Sequence, residues 1–193
     1  MRLYNSYTPL IMGSVSIDTS LANIWRSWYL FRRGKKKTVE LENFQYYLEK
    51  NISILHKEIE QDKYIHGPYS RFIVNDNKRR EISVASIRDR IVHRLLYEYL
   101  VFLYDKTFIF DAWSCRKNKG LVGAIERAQK FLSSYPEGFV WRADIKKFFD
   151  SVSPERLLEI LSRRVLDPRA MALIQTTLNS YNSAGAERER ERE

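Results

Sequence analysis

A chain of 193 residues with 44% hydrophobic and 13% aromatic residues is long enough for one sizeable core and too apolar to be a disordered protein. No apolar run reaches membrane-span length and no apolar signal core opens the chain, while the single Cys115 excludes a disulfide framework and a cysteine-rich zinc site; the composition points to the cytoplasm. A net charge of +9 suits a polyanionic partner, with simple solubility as the alternative.

Residues 1–22 show no clear period and read as a loose leader. A first helix is predicted over residues 21–31, stopping at Gly34. Arg26, Arg32, Arg33, Lys35, Lys36 and Lys37 crowd this region and alternate with Trp25, Trp28, Tyr29 and Phe31. Cations for phosphates beside aromatic faces for bases is a pattern of single-stranded nucleic-acid sites; for any one of these residues a solvated basic loop is the plain alternative. Leu41, Phe44, Leu48, Ile52, Leu55 and Ile59 then recur at three- and four-residue steps, which predicts one long amphipathic helix.

The period changes between Tyr69 and Val84. Phe72, Ile73 and Val74 are strand formers, Asn75-Asp76-Asn77 is turn chemistry, and Ile82 and Val84 resume alternation, so a β-hairpin is predicted. Ser86 followed by Asp89 resembles a capping box, opening a helix that carries Ile87, Ile91, Leu95, Tyr99 and Phe102. A further helix is expected over residues 121–132, with Val122, Ile125, Ala128 and Leu132 inward. A strand then follows over 139–145, in which Phe139, Trp141, Ala143 and Ile145 share one face and Asp144 points the other way with Arg142 and Val140. Ser153-Pro154 and Asp167-Pro168 are helix-start signals. The plan is α+β, mostly helical, and not a regular βαβ alternation. Residues 184–193, alternating Glu and Arg without an apolar face, read as a non-native or disordered tail.

Trp141-Arg142-Ala143-Asp144-Ile145-Lys146-Lys147-Phe148-Phe149-Asp150-Ser151 resembles motif A of a reverse transcriptase, the palm strand of an RNA-directed DNA polymerase. Four more segments follow that family's order. Residues 23–35, Asn-Ile-Trp-Arg-Ser-Trp-Tyr-Leu-Phe-Arg-Arg-Gly-Lys, resemble its opening helix and basic loop. Residues 69–82 resemble the fingers hairpin. Ser86-Ile-Arg-Asp-Arg-Ile-Val-His-Arg resembles the helix after it, and Phe108-Ile-Phe-Asp-Ala-Trp-Ser-Cys-Arg-Lys-Asn-Lys-Gly the "FIxDSYAxRxGKG" segment. The likeness runs from about Asn23 to Asn182 and is to the bacterial group II intron, retron and diversity-generating branch.

The resemblance implies a right-hand polymerase: a fingers region over 23–138 and a partial palm with motif A over 139–183. It implies two-metal nucleotidyl transfer of dNTPs to a DNA primer on an RNA template, with Mg2+ (or Mn2+) as cofactor. Asp144 would be the catalytic metal carboxylate and the Ile145 carbonyl a backbone ligand, since hard cations take oxygen donors. Outside that family, an isolated Asp here is more often a turn or cap residue. Phe149 falls where the family has its steric gate against a ribose 2′-hydroxyl; a core phenylalanine is the alternative, and Asp150 is read as structural. Arg80 matches the fingers arginine that meets the triphosphate, with Lys78 a second candidate. Arg32, Arg33, Lys35, Lys36, Lys37, Arg116 and Lys119 are expected on nucleic-acid phosphates. The family's aromatic-x-Asp-Asp motif and thumb do not occur. The chain is therefore expected to be a fragment, inactive alone, with an exposed palm edge. A noncatalytic RNA-binding module is the alternative.

Overall fold

The computed structural model describes residues 15–75, 79–146 and 148–190. Helix α1 spans Leu21–Arg32, capped by the Ser20 hydroxyl, which accepts from the Asn23 N–H (3.3 Å). It stops where Gly34 takes φ +74°, a left-handed conformation that a side chain resists. Its buried stripe is Ile24, Ser27, Trp28 and Phe31.

The long helix expected from Leu41 to Ile59 is two helices, α2 (Val39–Tyr46) and α3 (Leu48–Glu60). Tyr47 breaks the run at φ −106°, ψ 29°. The Asn51 side chain donates to the Phe44 carbonyl (3.1 Å), satisfying an acceptor in the last turn of α2. The apolar period runs through the break because both helices face one core, which is why spacing did not reveal it.

Strands β1 (Ser70–Asn75) and β2 (Arg79–Val84) pair antiparallel, from Ser70 opposite Val84 to Asn75 opposite Arg79. Phe72 and Ile73 are each 51% exposed, so this ribbon stands in solvent with both faces open. Helix α4 (Ile87–Tyr104) begins at the Ser86 cap, with Asp89 N–H donating to its hydroxyl (3.2 Å). A one-turn 3-10 segment, Asp105–Thr107, follows. Then come α5 (Leu121–Ser134), the short α6 (Phe148–Ser151), α7 (Pro154–Ser162) and α8 (Pro168–Arg190).

The core lies among α1, α3, α4 and the start of α8. Ile24, Trp28 and Phe31 of α1 share one buried cluster with Ile52, Leu55 and Ile59 of α3, Ile91, Val92 and Leu95 of α4, and Ala170, Leu173 and Ile174 of α8. The fold is mixed α+β and mostly helical, with one two-stranded sheet among the described residues. None of the described helices is long and apolar enough to cross a membrane.

Three expectations are corrected. Residues 15–20 are not loose. Ile17 and Thr19 are buried, the Ile17 N–H donates to Asp167 Oδ2 (2.8 Å), and the Tyr99 hydroxyl donates to the Val15 carbonyl (3.0 Å). Helix α5 forms, but none of its residues is buried; Val122 is 71% exposed. Residues 139–145 form no strand, and Phe139, Trp141 and Ile145 are exposed. A strand exists only beside another that completes its hydrogen bonds, and no described segment pairs with this one. The backbone of α8 continues helical into the Glu-Arg stretch, beyond its last apolar residue in the core cluster, Leu178.

Candidate nucleic-acid interface

The turn from α1 to α2 builds a cleft of about 640 Å3, lined among others by Tyr29, Arg32, Arg33, Lys35, Lys37 and Tyr46. Two local signals place it. Gly34 turns the chain at the end of α1, and Thr38 restarts it by accepting from the Leu41 N–H (3.2 Å). All five cations, Arg32, Arg33, Lys35, Lys36 and Lys37, are exposed. Among the described residues Arg32, Arg33, Lys36 and Lys37 have no side-chain partner, while Lys35 Nζ lies over the Phe31 ring at 4.9 Å. The Arg90 guanidinium also meets that ring, at 5.0 Å, adding a cation from α4. Tyr29 and Tyr46 are 60% and 80% exposed, and Tyr29 stacks on Trp25 at 6.1 Å. Uncommitted cations beside open aromatic faces can hold phosphates and stack bases.

The other basic candidates are differently placed. Arg116 is a staple for the loop between α4 and α5. Its Nε and Nη2 donate to Asp105 Oδ1 (2.8 Å) and to the Asp105 carbonyl (2.9 Å) and Oδ2 (3.3 Å). Its Nη1 donates to the carbonyls of Ile109 (3.0 Å) and Ala112 (3.3 Å). All five N–H groups of a guanidinium are thereby engaged, leaving none for a phosphate. Hydrogen bonding from Arg116 holds Asp105 below the usual carboxylate range. Lys119 donates to the Phe110 carbonyl and sits 3.7 Å from the Phe110 ring and 4.2 Å from the Trp113 ring. Nearby, Arg127 pairs with Asp111 (2.9 Å). Arg116 and Lys119, both expected on phosphates, here hold their own loop together, which spacing alone could not distinguish.

Arg80 lies on β2 opposite Val74, exposed near the far end of the hairpin; Lys78 lies outside the described residues. Asp144 and Ile145 are exposed in the irregular segment before α6, and Phe149, like Asp150, has its side chain outside the described residues. Among the described residues no group of three or more His, Cys, Asp or Glu side chains is arranged to hold a metal ion. Asp144 with one backbone carbonyl is too few ligands for Mg2+, so the described residues by themselves do not fit the two-metal site.

A buried polar cluster escaped the sequence reading. Asp89, assigned only to a helix cap, is fully buried and accepts from Tyr64 Oη (2.9 Å), Gly67 N–H (3.1 Å), Ser86 Oγ (2.7 Å) and Arg88 Nη1 (3.1 Å). Burial, and next the Asp89 charge, push the Tyr64 phenol well above its ordinary value. His66 and His93 stack beside this cluster with their Nε2 atoms 3.1 Å apart. Only the Ser86-to-Asp89 spacing signalled any of it.

No family model matches the chain. Among curated proteins it is similar to protein YkfC of Escherichia coli strain K12, 25% identical over 134 residues, which are 67% of this chain and 35% of that protein. It is similar to an uncharacterized 91 kDa protein in the cob intron of Schizosaccharomyces pombe, 23% identical over 128 residues, 64% of this chain and 15% of that one. A putative COX1/OXI3 intron 2 protein of Saccharomyces cerevisiae is 25% identical over 135 residues, 67% and 16%. Two of these relatives are thus proteins of introns, similar at low identity, and the chain spans much less than two thirds of the length of each of the three.

Proposed function

We propose that this chain is the fingers and partial palm region of an RNA-directed DNA polymerase, and that its own contribution is to grip RNA through the cleft between α1 and α2. The observation that carries the reading is the set of unpaired cations Arg32, Arg33 and Lys37, lining the cleft beside the open rings of Tyr29 and Tyr46, with the exposed Lys36 in the same turn. The motif order in the sequence and the similarity to two intron proteins support the family. The template is RNA, the primer DNA and the incoming substrate a dNTP, which Arg80 would meet from the hairpin; Mg2+ or Mn2+ is the cofactor of the reaction. Asp144, with the Ile145 carbonyl, is its metal-ligand candidate, in need of carboxylate companions.

A salt titration of binding to single-stranded RNA tests the grip. Each neutralised phosphate contributes about −0.7 to the slope of log affinity against log salt. Replacing Arg33, Lys36 and Lys37 together by Ala should flatten the slope by roughly 2. A salt-independent affinity would reject the proposal. Primer extension on an RNA template with Mg2+ tests the rest: the chain alone is expected to be inactive, and synthesis that survives Asp144→Asn would remove Asp144 from the site. A noncatalytic RNA-binding module is the second reading, favoured because the basic cleft is assembled within the described residues and the carboxylate site is not.

A further inference from the structure

The segment that leads into the hairpin is fastened to α4 by a short series of contacts. Arg88 Nη1 donates to the Ile65 carbonyl (3.0 Å), the Gly67 N–H donates to Asp89 (3.1 Å), and His66 faces His93. Beyond Gly67 and Pro68, Tyr69 stacks on His66 at 5.0 Å and reaches Ser180 of α8 (3.4 Å). β1 starts at the next residue.

The proton inventory of the two rings follows from their neighbours. His66 Nδ1 lies 2.6 Å from the Gly67 carbonyl oxygen, which only accepts, so Nδ1 carries a proton. Neutral His66 then has a lone pair on Nε2 and accepts from His93 Nε2–H. One added proton is tolerated, because an imidazolium can donate to a neutral imidazole across the same 3.1 Å. A second proton leaves N–H facing N–H, with two positive rings stacked at 5.1 Å.

We propose that His66 and His93 form an acid-sensitive clasp: with at most one added proton it holds the root of the hairpin on α4, and a second proton opens it. Charged and titratable groups of three elements surround it among the described residues. From the segment before the hairpin come Tyr64 and Tyr69; from α4 come Asp89, 3.9 Å from His66 Nδ1, and Arg90, with Arg88 behind Asp89 and paired to Glu58 of α3. From α8 the neutral Ser180 approaches, through Tyr69. At His93 the Asp89 charge favours a proton and the Arg90 charge disfavours one. Burial, then the neighbouring His66, hold His93 below its ordinary value of 6.5. A histidine with a depressed folded value contributes its stability in full above the unfolded value and loses it as pH falls through the folded one, so opening belongs below pH 6.5. The clasp goes beyond the proposed function and does not depend on it.

Backbone amide exchange, corrected for its intrinsic pH dependence, tests the clasp from about pH 8 to about pH 5. Wild-type protein is expected to lose protection over residues 64–75 and 79–84 several-fold relative to α3 as pH falls. His93→Gln, whose amide keeps hydrogen-bonding capacity without titrating, should abolish that loss. Unchanged protection in the wild type overturns the proposal, and so does a loss that persists in His93→Gln. If that variant does not fold, ring nitrogen shifts of the wild type decide. Coupled titration of the two rings supports the clasp; two independent, ordinary histidine curves overturn it.

Discussion

Asp89 shows how much one side chain can organise when it is buried with every lone pair engaged. It joins the first turn of α4 to Tyr64 and Gly67 in the preceding segment. Asp89→Ala leaves a buried phenol and a partly buried backbone N–H without acceptors, and about 3–5 kcal/mol should be lost, read from a urea midpoint. Ser86→Ala, which removes only the cap, should cost about 1 kcal/mol by the same measurement. The arginines divide in the same way. Arg116→Ala should expose residues 105–116 to protease and leave the salt slope of RNA binding unchanged, because its donors all serve the loop. Lys36→Ala should do the reverse, reducing that slope by roughly 0.7 with no added protease sensitivity.

At the scale of elements, legibility followed locality. The hairpin, the Ser86 cap and the Ser153-Pro154 start were readable because each is written in neighbouring residues whose chemistry is complete on the spot. The break at Tyr47 was not, since the apolar stripe continues on both sides and an asparagine four residues on closes the gap. The strand over 139–145 was misread for the converse reason: alternation states which face would be buried, and only a neighbouring strand can bury it. Of the candidate site, the cationic loop was legible from charge density, whereas Arg116 and Lys119 depend on how an irregular loop folds back on itself, and the histidine pair on a partner 27 positions away. Gly34 offers a clean element-level test. Nothing lies within 4 Å of a Cβ placed there, so Gly34→Ala meets strain at φ +74° and no clash. A loss of about 1 kcal/mol is expected in thermal unfolding, together with weaker RNA binding if the turn sets the spacing of Arg33 and Lys35.

Across the whole molecule, the helical core is closed by contacts between distant parts of the chain. Asp167 accepts from the Ile17 N–H (2.8 Å) and from the Ala170 N–H (3.0 Å), so one carboxylate caps α8 and anchors residues 15–20. Arg169 adds a second tie, to Thr19 (3.0 Å) and Glu60 (2.8 Å). Asp167→Ala should lower stability by about 2 kcal/mol and Tm by roughly 4–8 °C. Arg169→Ala, more exposed, should cost less than about 1 kcal/mol.

The Ile17–Asp167 bond also orders events in time. Its partners are separated by 150 positions, so a ribosome adding about 5–20 residues per second delivers them many seconds apart. α1, α3 and α4 can meet soon after synthesis, but the Ile17 N–H has no acceptor until Asp167 emerges. During that interval Ile17 and the faces that later meet Leu173 and Ile174 stay wet. The nascent chain is most vulnerable to mispairing then, and slowing synthesis before Asp167 would lengthen that exposure.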